Sequence, residues 1–267
     1  MKLHEQSVIV ITGGSKGIGK ACALELAPLG CTLILLARNA SDLEKTKQEC
    51  EALGAKTYTK VCDVSNQEAC KAVLETIVNE MGRIDVLINN AGYGHYSKVE
   101  DLSTEDLHRI FDTNLYGALW CTQSVLPSMK KAGRGHIVNV STILSHRSIP
   151  FFSAYSMTKF ALNALTESLR SEVAPYGIGV SLICPGLTQT DFQTNAKKNQ
   201  FHPPISSRHG MDPKKVAKSI RKAIEKNCKR VLFTGAGIAL VWINRLCPGF
   251  CDRIVDHYFR SHLSPKE

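Results

Sequence analysis

The chain predicts a doubly wound α/β fold on a parallel sheet. Short apolar runs rich in β-branched residues recur along it, longer segments of helical periodicity separate them, and the two kinds alternate from Val8 to Ile183. Parallel strands need crossover connections of a dozen or more residues, and helices laid on both faces of the sheet make each strand apolar on both sides. That is the pattern here.

The runs read as buried strands are Val8 to Ile11, Thr32 to Leu36, Thr57 to Cys62, Val86 to Ile88, Ile137 to Val140 and Val180 to Ile183. The helical segments are Gly17 to Leu29, Ala40 to Leu53, Gln67 to Met81, Thr104 to Lys131 and Ala154 to Pro175. After Pro185 the pattern loosens, and Asn195 to Gly210, rich in polar residues, Pro and His, is expected to form a substrate loop or lid. Asp212 then caps a further helix, Lys214 to Asn227, with Pro213 in its first turn. Gly235 to Leu246 is strongly apolar, but Asn244, Arg245 and Pro248 break it well short of a bilayer span. With Arg245, Arg253 and Arg260 beside Trp242, Phe250, Tyr258 and Phe259, it suits a pair of interfacial helices, and equally a cover for a substrate pocket or a subunit contact.

One domain is expected from 267 residues of 43% hydrophobic content without repeat or low-complexity linker. Residues 1–192 form its core, and 193–267 form the loop and a C-terminal helical extension. Met1 to Gln6 are mostly polar and lead directly into the first apolar run, so no signal or transit sequence is read there and a cytoplasmic location is expected, peripheral to a membrane if the C-terminal segment touches one. Ten cysteines are scattered without a Cys-x-x-Cys pair, and Cys22, Cys31, Cys62, Cys121 and Cys184 lie in apolar surroundings, as reduced buried thiols do. Cys247 and Cys251 bracket Pro-Gly-Phe with no further ligands at hand, so no metal is expected. The net charge of +9 is uneven: Gln193 to Glu267 holds 15 Lys/Arg against 5 Asp/Glu, while the preceding residues hold 18 against 19. Such a region either attracts an anionic substrate or membrane surface or serves as a solvated face. No nucleic-acid-binding motif accompanies it.

The strongest local signal is Thr12-Gly13-Gly14-Ser15-Lys16-Gly17-Ile18-Gly19, which follows the first strand and opens the first helix. Gly13 and Gly17 suit tight-turn dihedrals and close approach to a pyrophosphate, Gly19 suits close helix packing, and the helix N-terminus favours negative charge. The second strand ends in Leu36-Ala37-Arg38-Asn39, with no acid to hold both adenosine ribose hydroxyls. Arg38 can instead grip a 2′-phosphate, with Ser15 and Lys16 reaching from the glycine loop, and this favours NADPH over NADH.

Together with Asn89-Asn90-Ala91-Gly92, Tyr155-x3-Lys159 and Pro185-Gly186, the glycine segment resembles the ordered motifs of the short-chain dehydrogenase/reductase family over roughly residues 7 to 192. The resemblance implies a Rossmann-like, seven-stranded fold, with cofactor and substrate sites in one domain. Carried over by position, it implies that Asp63 and Val64 frame the adenine, that Asn90, Ala91 and Gly92 line the adenosine ribose, and that Pro185, Gly186, Thr188 and Thr190 approach the nicotinamide half. Asp63 also suits an Asx turn or cap. The segments Thr104 to Lys131 and Ala154 to Pro175 resemble the helices through which such proteins form homodimers or homotetramers.

Tyr155 and Lys159 stand four apart on a helical segment and share a face. Moving a tyrosine from a pKa near ~10 to roughly 7 takes ~4 kcal/mol, and a lysine at about 4 Å in an effective dielectric of ~20 supplies ~4 kcal/mol. In reduction, Tyr155 donates a proton to the developing alkoxide; by resemblance, Lys159 also holds the nicotinamide ribose, and Asn114 keeps a water in a relay to it. Read without the resemblance, Asn114 is a helix-interior polar residue bonded to backbone. The family's serine, thirteen residues before the tyrosine, is replaced by Thr142, which keeps a hydroxyl able to polarise a carbonyl. Ser141 could take that role only if the loop shifts by one residue, because successive side chains on a strand point to opposite faces; Ser145 is a more distant candidate.

Tyr93, His95, Leu144, Phe151, Phe152 and Leu187 are candidates for an apolar substrate wall, and equally for ordinary packing. They lean towards a lipophilic ketone, and the Ala-Arg-Asn segment with the helix after it resembles lipid- and steroid-ketone reductases such as 3-ketodihydrosphingosine reductase. The basic C-terminal region also suits a 3-oxoacyl thioester on a phosphate-bearing carrier. The altered serine position leaves a third reading, an NADPH-binding regulator without turnover.

Overall fold

The computed structural model of the chain describes residues 1–194, 196–198 and 210–263. Its strands are β1 (Val8–Thr12), β2 (Thr32–Ala37), β3 (Lys56–Val61), β4 (Val86–Asn89), β5 (His95–Tyr96), β6 (Gly135–Val140), β7 (Ile178–Cys184), β8 (Lys197–Lys198) and β9 (Arg230–Leu232). Seven of them form one sheet in the order β3-β2-β1-β4-β6-β7-β9, with every neighbouring pair parallel. The chain works outward from β1 to one edge, returns to β4 beside β1, and works outward to the other. A crevice opens between the C-terminal ends of β1 and β4, where the two directions diverge.

Alternation along the strands builds a core on each face. Ile9 and Ile11 of β1 join Leu33 and Leu35 of β2 on one side, under α1 (Gly17–Leu26), α2 (Ala40–Glu51) and α7 (Pro213–Lys226). Val8, Val10, Ile34 and Leu36 face the other, under α3 (Gln67–Met81), α5 (Gly117–Ala132) and α6 (Ser153–Val173). The six strand expectations and the capped helix after Asp212 hold to within two residues at each end, and Asp212 Oδ1 accepts from the Lys214 amide at 2.8 Å.

Two features depart from the sequence reading. The segment Thr104 to Lys131 is not one regular helix: α4 (Thr104–Phe111) runs into a π-helical turn at Asp112–Tyr116 before α5 begins. The widened turn carries Asn114, which bonds Tyr93 and Thr158, and periodicity alone cannot register one extra residue per turn. The seventh strand, β9, has only three residues, begins with Arg230 and lies at the sheet edge, so it lacks the apolar run that marks its neighbours. Beyond it the chain forms a hairpin of α8 (Gly235–Leu246) and α9 (Pro248–Leu263). Most of the expected loop from Asn195 to Gly210 lies outside the described residues.

Polar side chains also cross the core. Asn89 donates to Asn139 Oδ1 at 2.9 Å and to Thr122 Oγ1 at 3.1 Å, and Asn139 donates to Thr166 Oγ1 at 2.9 Å, which ties β4, β6, α5 and α6 together beneath the crevice. Asn139→Leu removes one of the acceptors of the Asn89 amide and the donor to Thr166. A loss of about 2 kcal/mol is expected in urea unfolding.

Candidate active site

The glycine loop is held by a few bonds that the sequence motif does not spell out. Thr12 Oγ1 accepts from the Asn90 and Ala91 amides at 3.0 and 3.1 Å, while Asn90 Nδ2 donates to the Thr12 and Gly13 carbonyls at 3.0 and 3.2 Å. The end of β1 is thereby stitched to the end of β4. Gly13 has φ +64°, and a Cβ on Gly19 would stand 2.1 Å from the Gly13 carbonyl oxygen, so the loop can fold back onto α1 only if that position has no side chain. No side chain caps α1, and its first-turn N–H groups open into the crevice. Asn90 therefore acts on the loop through its amide, while its backbone and those of Ala91 and Gly92 line the cleft.

This cleft, about 830 Å³, runs from Arg38 past Ser15, Gly17, Ile18, Asp63 and Val64 to Tyr155 and Lys159, and on to Pro185, Gly186, Thr188 and Thr190. Asp63 Oδ1 accepts from the amide and hydroxyl of Ser65 at 3.0 and 2.8 Å, so the Asx turn forms and the residue still faces the cleft. Arg38 is exposed at the cleft rim. Lys16 is not a free partner for it: its ammonium pairs with Asp42 at 2.9 Å, and that hydrogen bond and charge raise the lysine's pKa. Asp42, in the first turn of α2, belongs to no motif, so the sequence gives no sign of its role.

At the other end, Tyr155 and Lys159 are 6% and 5% exposed on α6. Lys159 Nζ donates to the Val140 carbonyl at 3.0 Å, and burial lowers its pKa to about 8. Burial pushes the Tyr155 hydroxyl upward, and the neighbouring Thr142 hydroxyl opposes that shift. The Lys159 ammonium stands 5.9 Å from the Tyr155 ring centroid, and desolvation is the largest influence on the phenol.

Thr142 and Ser141 part at the end of β6. Thr142 lines the cleft with Tyr155, caps the turn Ile143–Ser145 through the Leu144 amide at 3.3 Å and donates to Pro185 O at 3.4 Å. Ser141 turns the other way, donating to Asn163 Oδ1 at 2.8 Å, and Asn163 Nδ2 donates to the carbonyl and hydroxyl of Ser145 at 3.2 and 2.9 Å. Asn163, one turn beyond Lys159, thus fixes which hydroxyl meets Tyr155. Its place on the Tyr155 face of α6 is its one signal in the sequence. Asn114, 1% exposed, accepts from the Tyr93 amide and donates to the Tyr93 carbonyl, both at 2.9 Å, and donates to Thr158 Oγ1 at 3.3 Å.

The apolar wall is only partly as expected. Tyr93, Leu144, Phe152 and Leu187 line the cleft, whereas His95 and Phe151 lie behind it. His95 is buried with its ring 3.6 Å from Asp106, and burial lowers its pKa. Phe192, which no sequence motif marks, sets its ring edge-on to Tyr155 at 5.3 Å, and Lys197 brings β8 against β5 while pairing with Asp106. Among the described residues no cluster of His, Cys, Asp and Glu is placed to hold a metal, and all ten cysteines are free, the five expected to be buried being so.

The chain belongs to the short-chain dehydrogenase family, whose profile matches residues 7–200. Dehydrogenase/reductase SDR family member 7B of Danio rerio is 33% identical over 277 aligned residues, covering 98% of this chain and 89% of its own. Estradiol 17-beta-dehydrogenase 11 of Macaca fascicularis is 31% identical over 262, covering 97% and 82%. A short-chain dehydrogenase/reductase from Burkholderia phymatum in complex with NAD superposes with a TM-score of 0.85 at 27% identity, covering 94% of this chain and 96% of its own. An alcohol dehydrogenase from Thermococcus sibiricus complexed with 5-hydroxy-NADP superposes with 0.76 at 29%, covering 85% and 95%. This is an oxidoreductase family, and among its solved members are ones that hold NAD or NADP. The residues here fit such a dinucleotide: the cradle that a Cβ at Gly19 would fill and the uncapped N-terminus of α1 suit its pyrophosphate.

The buried groups set two expected outcomes. Asn163→Ala frees Ser141 and the Ser145 turn, so kcat for carbonyl reduction falls at least about tenfold with KM for the cofactor unchanged, and Asn163→Asp restores part of it through the Ser141 bond. Lys159 has a folded pKa below its ordinary 10.5. The unfolded chain therefore binds more protons between about pH 8 and 10.5, and over that window this residue makes stability rise with pH. Relative to Lys159→Met, the wild type gains up to about 3 kcal/mol across it in denaturant titrations.

Proposed function

We propose that the chain is an NADPH-preferring carbonyl reductase acting on a lipophilic ketone, with Tyr155 as proton donor. The observation that carries this reading is that Tyr155 and Thr142 both line a buried, aromatic-lined end of the cleft. The bound nicotinamide supplies the hydride. A carbonyl oxygen seated between the two hydroxyls is polarised by Thr142 and receives the Tyr155 proton as it becomes an alkoxide. Burial keeps the phenol protonated at neutral pH, which suits reduction; oxidation needs the phenolate and is therefore expected to climb with pH. Lys159 holds the far side of the site through Val140 and presents its remaining donors to the ribose. Asn114, anchored on the Tyr93 peptide, stands at the entry of the relay. Phe152 and Phe192 exclude water from the reacting centre.

Arg38 carries the preference for the phosphorylated cofactor. It is exposed at the rim and has no carboxylate partner among the described residues, and Lys16 can exchange Asp42 for a 2′-phosphate. The Macaca fascicularis relative is named for a steroid, estradiol, and this supports the lipophilic substrate class, as does the Tyr93, Leu144, Phe152 and Leu187 wall. The family's habit of pairing through α5 and α6 supports a homodimer or homotetramer.

The test is hydride transfer from NADPH and NADH across lipophilic ketones and 3-oxoacyl thioesters. Tyr155→Phe is expected to abolish turnover while leaving NADPH bound, and Thr142→Ala to lower kcat about a hundredfold. Arg38→Leu weakens NADPH by roughly 10- to 100-fold, the worth of hydrogen bonds to a charged group, and leaves NADH nearly unchanged. NADPH binding with no turnover on any carbonyl would make the chain a binding protein instead. Thioester turnover exceeding that of free ketones would move the substrate class to carrier-borne acyl groups.

A further inference from the structure

We propose that the outward face of the α8–α9 hairpin docks on a lipid bilayer bearing anionic headgroups. Six of the fourteen exposed large apolar side chains among the described residues lie on these two helices. They form stripes: Ile238, Trp242 and Leu246 recur at every fourth residue of α8, and Phe250, Ile254 and Tyr258 do so on α9, all between 38% and 73% exposed. A concentration of this kind marks an interaction surface. The opposite sides of both helices are already committed. Leu240 and Val241 pack on Ile143, Leu182 and Cys184, and Val255 and Phe259 join the cluster of Phe151, Phe152 and Tyr155.

Charge selects the occupant. Arg245 stands over Trp242 at 5.9 Å, Arg253 flanks Ile254, and neither has a carboxylate partner among the described residues. Asp252 is held by Arg147 at 2.6 Å, and Asp256 lies roughly 160° round the helix from Ile254, at about 100° per residue. A second copy docked here across a two-fold axis would set the same arginine-flanked patch against itself. A headgroup layer offers phosphates to the arginines and acyl chains to the stripes, with Trp and Tyr at the boundary. No helix among the described residues is long and apolar enough to cross a membrane, so the hairpin lies in the interface. Through Val255 and Phe259 it sets lipid one helix away from Tyr155, a short path for a lipophilic substrate. The docking itself does not rest on the substrate's identity.

The chain has two tryptophans, so Trp120→Phe leaves Trp242 as the reporter. With phosphatidylcholine–phosphatidylglycerol vesicles its emission is expected to shift to the blue, and the protein to sediment with them. Arg245→Gln with Arg253→Gln weakens this binding roughly 30-fold, at about 1 kcal/mol per arginine and 1.4 kcal/mol per decade. Phe250→Ser with Ile254→Ser abolishes it, and both double variants keep the wild-type melting temperature. An unshifted emission without sedimentation overturns the proposal. So does a particle mass in buffer that halves on Phe250→Glu, which assigns the face to a second copy. Ketone turnover in vesicle-free buffer is read separately, and its presence or absence bears on the reaction alone.

Discussion

Everything at the cofactor end depends on one reciprocal set of hydrogen bonds, in which Thr12 takes two amides from the end of β4 and Asn90 returns its side-chain amide to two carbonyls at the end of β1. Parallel strands diverge at this point of the sheet, and nothing in the ladder itself holds their ends together. The cross-stitch keeps the crevice at a fixed width while satisfying loop carbonyls that would otherwise be stranded beside it. Gly19 is the steric counterpart, since only a residue without a Cβ lets α1 start so close to Gly13. With loop and helix fixed this way, the first-turn amides of α1 face the cleft without any side chain supplying charge.

The reacting end is organised by the opposite principle, the cost of burying groups that must change protonation. Tyr155 and Lys159 both lie under apolar cover, and desolvation drives them towards their neutral forms from opposite sides: the phenol keeps its proton and the amine releases its own more readily. Hydrogen bonds then decide orientation. The Val140 carbonyl holds the lysine and Asn163 holds Ser141, while Thr142 lines the cleft with the tyrosine, so that the two adjacent hydroxyls cannot exchange places. Because Asn163 sits on the same helix as Tyr155 and Lys159, a shift of α6 would carry the hydroxyl-bearing loop with it.

How much of this is legible in the sequence depends on the range of the interaction. The sheet and helices are readable because burial on two faces leaves continuous apolar strands, and the glycine loop because its constraint is local and steric. The preference for Thr142 over Ser141 follows from strand alternation, which is also local. Asn163, Asp42 and Phe192 are not readable, since each matters through a partner 22, 26 or 37 positions away, at Ser141, Lys16 or Tyr155. The lysine's bond to the Val140 carbonyl is hidden for a different reason: a four-residue spacing fixes a shared helix face but not the rotamer that brings the ammonium to that carbonyl. Likewise, β9 is invisible because an edge strand of three residues borrows its order from β7.

The C-terminal hairpin shows how one helix can serve two environments. The inner side of α9 completes the apolar cluster around Tyr155, and that cluster is what raises the phenol's affinity for its proton. Its outer side carries aromatic and aliphatic groups that gain nothing from the fold. Were those outer positions polar, the inner packing could be kept unchanged, because residues 251, 255 and 259 are distinct from 250, 254 and 258 on the helix surface. The stripe is thus not a by-product of closing the cleft, and the same geometry that insulates the phenol from water brings its insulating wall to within a helix diameter of whatever covers the stripe.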